Sequence, residues 1–308
     1  MKKLFFIDGG AGRAIASIPA FLKYAKKHDD FAILVHGWDT LYWGIPELQD
    51  KVFNPEQKGI FEHVVKDAEE IISPEPYRVP GYYKQELSLA EAFDVLINNT
   101  NDHSDLQDPI LKTSKAEELN AAGMILDAKN QQKKNHTIVI QPFGRSAQKH
   151  PVGAIVDESS RSLDPQAYLK LVKKLSAKYN LVLMAEQQFY MEEDTYTVKP
   201  QADLRMWTAF IDAADYFIGV DSVGQHMAKA LGKPGTVIVG STFAINTTYP
   251  DYFNIIEKDD AKKYSPIRIS GLEGHLADRM NESLMDFNDE EINKIYANIV
   301  KDIEKKVK

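Results

Sequence analysis

Asp221, Ser222, Gln225 and His226 fall within one short run, GVDSVGQHMAKALGKP. A carboxylate, a hydroxyl, a carboxamide and an imidazole at this spacing can hold hydroxyl groups and phosphate oxygens, provided the fold aims them at one place. The flanking sequence supplies the aim. Tyr216–Val220 reads as a short, apolar, β-branched strand covered on both faces, as in a parallel sheet. It delivers Asp221 and Ser222 to its carboxyl end, with Ser222 as the N-cap of a helix that carries Gly224, Gln225 and His226 in its first turn. Gly232 ends that helix, Pro234 follows, and Thr236–Val239 is the next strand. Ligands of open α/β sheets sit outside the carboxyl ends of strands, where helix N-termini attract phosphate. The stretch Asp212–Thr242 therefore reads as a phosphate-and-hydroxyl site. The same residues also fit a structural role, with Asp221 capping the helix and His226 packed beneath the sheet.

A second constellation opens the chain. Leu4–Ile7 is a buried strand, Asp8-Gly9-Gly10-Ala11-Gly12-Arg13 a glycine-rich turn, and Ala14–Lys26 an amphipathic helix, together the first unit of a Rossmann-like domain. The glycines lack the G-x-G-x-x-G spacing, and no acidic residue ends the second strand FAILVH at the ribose position, which weighs against a nicotinamide enzyme. The absence of a Tyr-x-x-x-Lys arrangement weighs against an epimerase. His36, Asp39, Tyr42 and Trp43 follow that strand, and Tyr82 and Tyr83 offer flat, polar-tipped rings of the kind that stack on sugars or bases.

The chain has 308 residues, 44% hydrophobic and 27% charged, which suits two soluble domains. It has no cysteine, so thiol nucleophiles and thiolate metal sites are excluded. No apolar run reaches the length of a membrane span and Met1–Lys3 leads straight into a strand, so cytoplasm is the expected compartment. The net charge of −8 argues against strong non-specific adhesion to nucleic acid.

Composition places a polar linker over Asn99–Asn135, with a short helix near Ala116–Ala122. The expected domains are 1–130 and 131–308, both Rossmann-like. In the second, Thr137–Ile140 is a strand followed by the polar loop Gln141–Pro151. Leu163–Tyr179 is a helix, LVLMAEQQ a strand ending in Glu186, and Gln201–Ala213 a helix. Asp289–Lys308 closes the chain as an amphipathic helix with Ile292, Ile295, Ile299 and Ile303 on one face.

These motifs carry a resemblance. GVDSVGQHMAKALGKP resembles the donor-site signature of the heptosyltransferase-like glycosyltransferases (glycosyltransferase family 9-like), D-[ST]-G-x-x-H-x-x-x-A-L-G-K-P. Asp221, Ser222, His226, Ala230, Leu231, Gly232, Lys233 and Pro234 stand in register, and Gly224 lies one place later than the family glycine. GGAGRAIASIPAF is similar to the amino-terminal G-G-[IL]-G-D-x-[IL]-x-x-[ST]-P segment. QPFGRSAQKH is a looser likeness of I-x-P-G-[AT]-S-x-x-x-K-x-W, carried by Pro142, Ser146 and Lys149.

The resemblance implies a GT-B fold, α/β, with two Rossmann-like domains facing a central cleft. The amino-terminal domain would bind the acceptor, and the last helix can return to pack on it. The implied activity is inverting, metal-independent transfer from a nucleotide-diphosphate sugar, UDP- or ADP-linked, with no further cofactor. Ser146 and Lys149, assisted by Arg145, would meet the diphosphate, together with the Ser222–His226 helix start. Glu186 would hold the ribose, Ala202–Leu204 would flank the base, and Asp221 would bind donor-sugar hydroxyls. Gly9, Gly10, Gly12, Asp39 and Tyr82 would stand on the acceptor side. Arg13 occupies the position of the family aspartate, the proposed general base, and an arginine cannot abstract a proton. Asp8 is the first substitute, its alternative role being to accept hydrogen bonds from the glycine turn. The acceptor is expected to be a lipopolysaccharide or other glycan, or a hydroxymethylated base in DNA with Arg13, Arg78, Lys84 and Lys149 along a groove. A catalytically altered relative that only binds nucleotide sugar is the alternative.

Overall fold

The computed structural model describes residues 2–144, 147–149, 155–157, 159–185, 195–197, 203–258, 263 and 285–307. The chain divides into two compact units, with the division between Lys112 and Thr113.

The first unit carries strands β1 (Lys3–Ile7), β2 (Phe31–Val35), β3 (Val52–Phe53) and β4 (Glu70–Ile72), in the order β3-β2-β1-β4 and all parallel. The apolar run of β2 is buried throughout, as in a parallel strand covered on both faces, whereas the edge strand β4 leaves Ile71 exposed. Helices α1 (Ala11–Ala25), α2 (Pro80–Tyr83) and α3 (Leu89–Asn98) complete the unit. Phe5 of β1 meets the edges of Phe21 and Tyr24 of α1 at 5.3 and 5.2 Å, which fixes that helix on the sheet. Ser88 and Glu91 form a reciprocal capping box at the start of α3. Asp94 of α3 is fully buried and is compensated by Lys23 Nζ at 3.0 Å, Asn98 Nδ2 at 2.8 Å and His103 Nδ1 at 2.7 Å. The Pro- and Gly-punctuated stretch Ser73–Tyr83 contains a 3₁₀ turn at Pro76–Arg78 and the short α2, each opened by a proline at its first position.

The second unit begins with α4 (Lys115–Gln132), longer than the short helix expected within a linker. Leu119 and Leu126 stand exposed on it, so its apolar residues mark no single face and its periodicity was hidden. Ala121, Ile125 and Ala128 are nonetheless buried, and α4 packs on α6 (Leu204–Ala213) and β8 (Asn180–Leu183). Arg205 of α6 grips Glu117 of α4 at 2.7 and 2.6 Å, and this hydrogen bonding pulls the Glu117 carboxyl down to about 2. The remaining strands are β5 (Thr137–Gln141), β6 (Gln148–Lys149), β7 (Ile155–Val156), β9 (Tyr196–Thr197), β10 (Tyr216–Val220), β11 (Gly235–Val239) and β12 (Asn254–Glu257). The parallel sheet runs β12-β11-β10-β5-β8-β9, with β6 and β7 a separate antiparallel pair. Helices α5 (Pro165–Ser176), α7 (Val223–Ala230), α8 (Ala244–Thr247) and α9 (Asp289–Lys306) cover it. The closing helix α9 buries Ile292, Ile295, Ile299 and Ile303 in the core of this second unit, against α5, β11 and β12. No helix among the described residues is long and apolar enough to cross a membrane.

Candidate functional site

From β5 the chain of the second unit builds one half of the sheet through β8 and β9, and the other through β10, β11 and β12. The topological switch therefore lies between β5 and β10, and ligands of open α/β sheets bind outside the carboxyl ends of strands at such a point. Gln141 ends β5 there, and Asp221 and Ser222 leave β10 beside it.

Ser222 takes the N-cap position of α7 with extended backbone, yet its hydroxyl does not cap the helix. The Gln141 carboxamide does so from the neighbouring strand. Its Oε1 accepts from Gly224 N at 2.9 Å and its Nε2 donates to Ser222 Oγ at 3.2 Å. This explains the glycine. A Cβ at Gly224 would lie 2.4 Å from Gln141 Oε1 and 2.8 Å from the Phe217 ring. Gly232, with φ at +67°, ends the helix in the left-handed conformation that the sequence pattern calls for.

Asp221 is 5% exposed and does not cap α7. Its Oδ2 accepts from Thr242 Oγ1 at 2.8 Å, which joins the ends of β10 and β11. Its backbone oxygen accepts from Arg161 Nη1 at 3.2 Å. Arg161 is held by Ser159 Oγ at 3.1 Å, in a turn organised by Asp157, which accepts from Ser159 N at 2.8 Å and Ser162 N at 3.1 Å. Gly144 N donates to Ser162 Oγ at 2.9 Å, and Ser241 Oγ to the Ser159 carbonyl at 3.1 Å. One serine-rich loop thus ties together the turns that follow β5, β10 and β11. Among the described residues Arg161 has no carboxylate at ion-pairing distance, so its charge is available at the strand ends. Sequence reading passed it over. The only local signal was the Asp157 turn with serines two and five places on.

His226 is 5% exposed, with Nδ1 at 2.9 Å from the Tyr249 hydroxyl and its ring edge-on to Tyr249 at 5.5 Å. Burial lowers its pKa from 6.5 to about 4; the Asp221 charge opposes this shift and Arg161 adds to it. The imidazole is therefore neutral near pH 7 and offers a hydrogen bond, not a charge. Gln225 is fully buried, donates to the Thr247 carbonyl at 2.6 Å, and leaves Oε1 without a hydrogen-bond partner among the described residues. Arg145, Ser146, Glu186 and Ala202 lie outside the described residues. Lys149 is described through the backbone of β6 alone.

In the first unit, α1 begins at Ala11, so Gly12 and Arg13 belong to its first turn. Gly9, with φ at +97°, makes the sharp exit from β1, and Trp38 Nε1 donates to its carbonyl at 2.9 Å. Asp8 Oδ1 accepts from Gly9 N at 2.6 Å, on an exposed side chain. Arg13 is 7% exposed and donates through Nη1 to both Glu75 oxygens at 3.1 Å, beneath the Tyr77 ring at 5.0 Å. Asp39 Oδ1 accepts from Asn54 Nδ2 at 3.0 Å. Tyr82 is only 1% exposed and packs on Tyr77 at 5.4 Å. Tyr42 is likewise buried, bonded to Ser17 Oγ at 2.7 Å and the Ala14 carbonyl at 2.9 Å. Tyr82 therefore does not present the stacking face expected of it, because a large aromatic in a Pro- and Gly-rich stretch fills the core beneath its loop, whereas Tyr83 is exposed.

A scan against protein-family models finds no match, and a search of curated proteins finds none. Solved structures do match. The ADP-heptose lipopolysaccharide heptosyltransferase II of E. coli superposes with a TM-score of 0.62 at 15% identity, covering 98% of this chain and 99% of that one. A glycosyltransferase family 9 protein from Veillonella parvula gives 0.62 at 10% identity, over 84% and 86% of the chains. The iron-containing dodecameric heptosyltransferase TibC, solved with ADP-D-β-D-heptose, gives 0.62 at 12% identity, over 99% of this chain and 76% of that one. At such identities the likeness is one of fold: two parallel-sheet α/β units in the GT-B arrangement of strands and helices that these glycosyltransferases share.

Proposed function

We propose that this chain is a glycosyltransferase that moves a sugar from a nucleotide-diphosphate sugar to an acceptor hydroxyl. The observation that carries the reading is the cluster at the β5/β10 switch point, where Asp221, Gln141, Ser222, Arg161 and neutral His226 converge. In this reading Asp221 accepts hydrogen bonds from donor-sugar hydroxyls. Arg161 and the first turn of α7 stabilise the leaving diphosphate, with Ser146 and Lys149 as further diphosphate contacts and Glu186 on the ribose. Protein cations and N–H groups thus take the role a metal plays in other transferases. The displacement is a single in-line attack by the acceptor oxygen, which inverts the anomeric centre. A glycan hydroxyl is the favoured acceptor. A duplex acceptor needs a basic groove, and Arg13 is withdrawn from any such groove into its pair with Glu75.

The heptosyltransferase fold, and the ADP-heptose bound in TibC, support an ADP-linked donor. Thermal melting with ADP, UDP, GDP, CMP and NAD tests this, because a ligand bound at 100 times its Kd stabilises by about 2.7 kcal/mol. One nucleoside diphosphate, and its sugar conjugate, is expected to raise Tm, and Asp221→Ala to remove the added gain from the sugar. Stabilisation by NAD alone, or by nothing, rejects the reading. A second reading, a relative that binds nucleotide sugar without efficient transfer, draws on Arg13 at the family base position. It predicts the same melting shifts with no nucleoside diphosphate released.

A further inference from the structure

Arg13 leaves the acceptor hydroxyl without a base at the family position. We infer that Glu75 is the base of the first unit, a carboxylate supplied from the loop after β4 and aimed by Arg13; this rests on the glycosyl-transfer reading above. The sheet order β3-β2-β1-β4 puts the topological switch of this unit between β1 and β4, so its ligand crevice opens outside the carboxyl ends of those two strands. The Asp8–Gly10 turn leaves β1 there, and Glu75 follows β4. The two sides of the switch are joined by the Arg13–Glu75 pair.

A carboxylate offers about four lone-pair positions. Arg13 Nη1 and Tyr77 N occupy Oε1, both at 3.1 Å, and Arg13 Nη1 alone reaches Oε2, also at 3.1 Å. Among the described residues the remaining position on Oε2 is open to a hydroxyl donor. The Glu75 side chain is 14% exposed, enough for one such contact. Tyr77 and Phe93 flank the guanidinium at 5.0 and 5.9 Å, so Arg13 cannot swing away without leaving its aromatic seat. Buried ion pairs add little net stability over apolar packing, so folding alone gives small reason for one at a switch point. Asp8, by contrast, is exposed and is held only by its neighbour Gly9. In the transfer step the acceptor oxygen bonds to the anomeric carbon while its proton passes to Glu75 Oε2. The bond from that carbon to the diphosphate oxygen breaks, and its electron pair leaves with the diphosphate. Arg13 is a positioning residue.

The test uses the full chain and the nucleotide sugar that stabilises it best, beginning with ADP-heptose, and follows nucleoside diphosphate release to water and to oligosaccharides. Glu75→Gln is expected to slow release by about 10²–10⁴-fold with nucleotide stabilisation unchanged, and to erase the decline of rate on the acid side. Glu75→Asp, which keeps the charge pair should the amide unsettle the loop, is expected to retain that acid decline at a reduced kcat. Arg13→Gln is expected to lower kcat with nucleotide stabilisation unchanged, and Arg13→Lys to restore part of the loss, since a cation beside Glu75 aims the carboxylate. Wild-type turnover by a nucleotide-bound Glu75→Gln overturns the inference, and a collapse confined to Asp8→Asn gives the role to Asp8. A wild type that binds the sugar but releases nothing also overturns it and selects the binding-only reading. If no nucleotide sugar stabilises the chain, the parent reading falls with it.

Discussion

The two units solve the same topological problem with different chemistry. In each, the strand order of a parallel sheet reverses between two neighbouring strands, and a glycine-bearing turn leads from one of them into a helix. At β5/β10 the polar groups are mostly neutral: a carboxamide, hydroxyls and an uncharged imidazole, with one carboxylate and one arginine that meet only through the Asp221 carbonyl. Beyond β1 and β4 stands a direct ion pair, Arg13 with Glu75, seated on aromatic rings. A site whose arginine has no carboxylate partner among the described residues can neutralise an incoming anion. A site whose cation is already matched cannot, but its carboxylate is held in place by Arg13 and the Tyr77 N–H. On the proposed reading the first would take the diphosphate of the donor and the second the acceptor hydroxyl.

Four changes probe this contrast, beginning with the largest expected effect. Unfolded, His226 takes a proton near its ordinary 6.5, and folded only near 4, so between these values the unfolded chain binds more protons. Stability should therefore fall as pH drops through that window, by on the order of 3 kcal/mol from this residue. Denaturant melts at pH 7 and pH 4.5 should show a smaller difference for His226→Gln than for the wild type; equal differences would mean that the imidazole is charged in the fold. Arg161→Gln should weaken nucleoside diphosphate binding by about 10–100-fold in calorimetry, the worth of a charge-assisted hydrogen bond. An unchanged Kd would show that its charge is not spent on the ligand. Gly224→Ala should destabilise the second unit by about 1–3 kcal/mol, as its Cβ is driven into Gln141 and Phe217. The smallest effect is expected in the first unit, where Trp38→Phe removes the bond to the Gly9 carbonyl at about 1 kcal/mol. A larger loss there would show that the β1 turn depends on its tryptophan more than on the ion pair.

What could be read in advance follows sequence distance. Strand β10, the Asp221–Ser222 turn, α7 and its Gly232 stop lie in one continuous stretch, where apolar periodicity and the glycine–proline stop act on near neighbours. The α9 stripe of isoleucines was legible for the same reason. The partners were not. Gln141 caps α7 from 83 residues away, Arg161 reaches Asp221 across 60, and Arg13 meets Glu75 across 62. Tyr82 looked like a surface ring and is core, because burial depends on which loop folds over which face.

The sequence by itself determined the class of fold and the local donor-type turn, since both rest on hydrophobic period and backbone preferences within a few residues. Only the tertiary structure decided that His226 is neutral, that Gln141 replaces Ser222 as the cap, and that Arg13 is matched by Glu75. These depend on which strands lie side by side, and strand order is set by packing of the whole sheet, which no local pattern of residue types encodes.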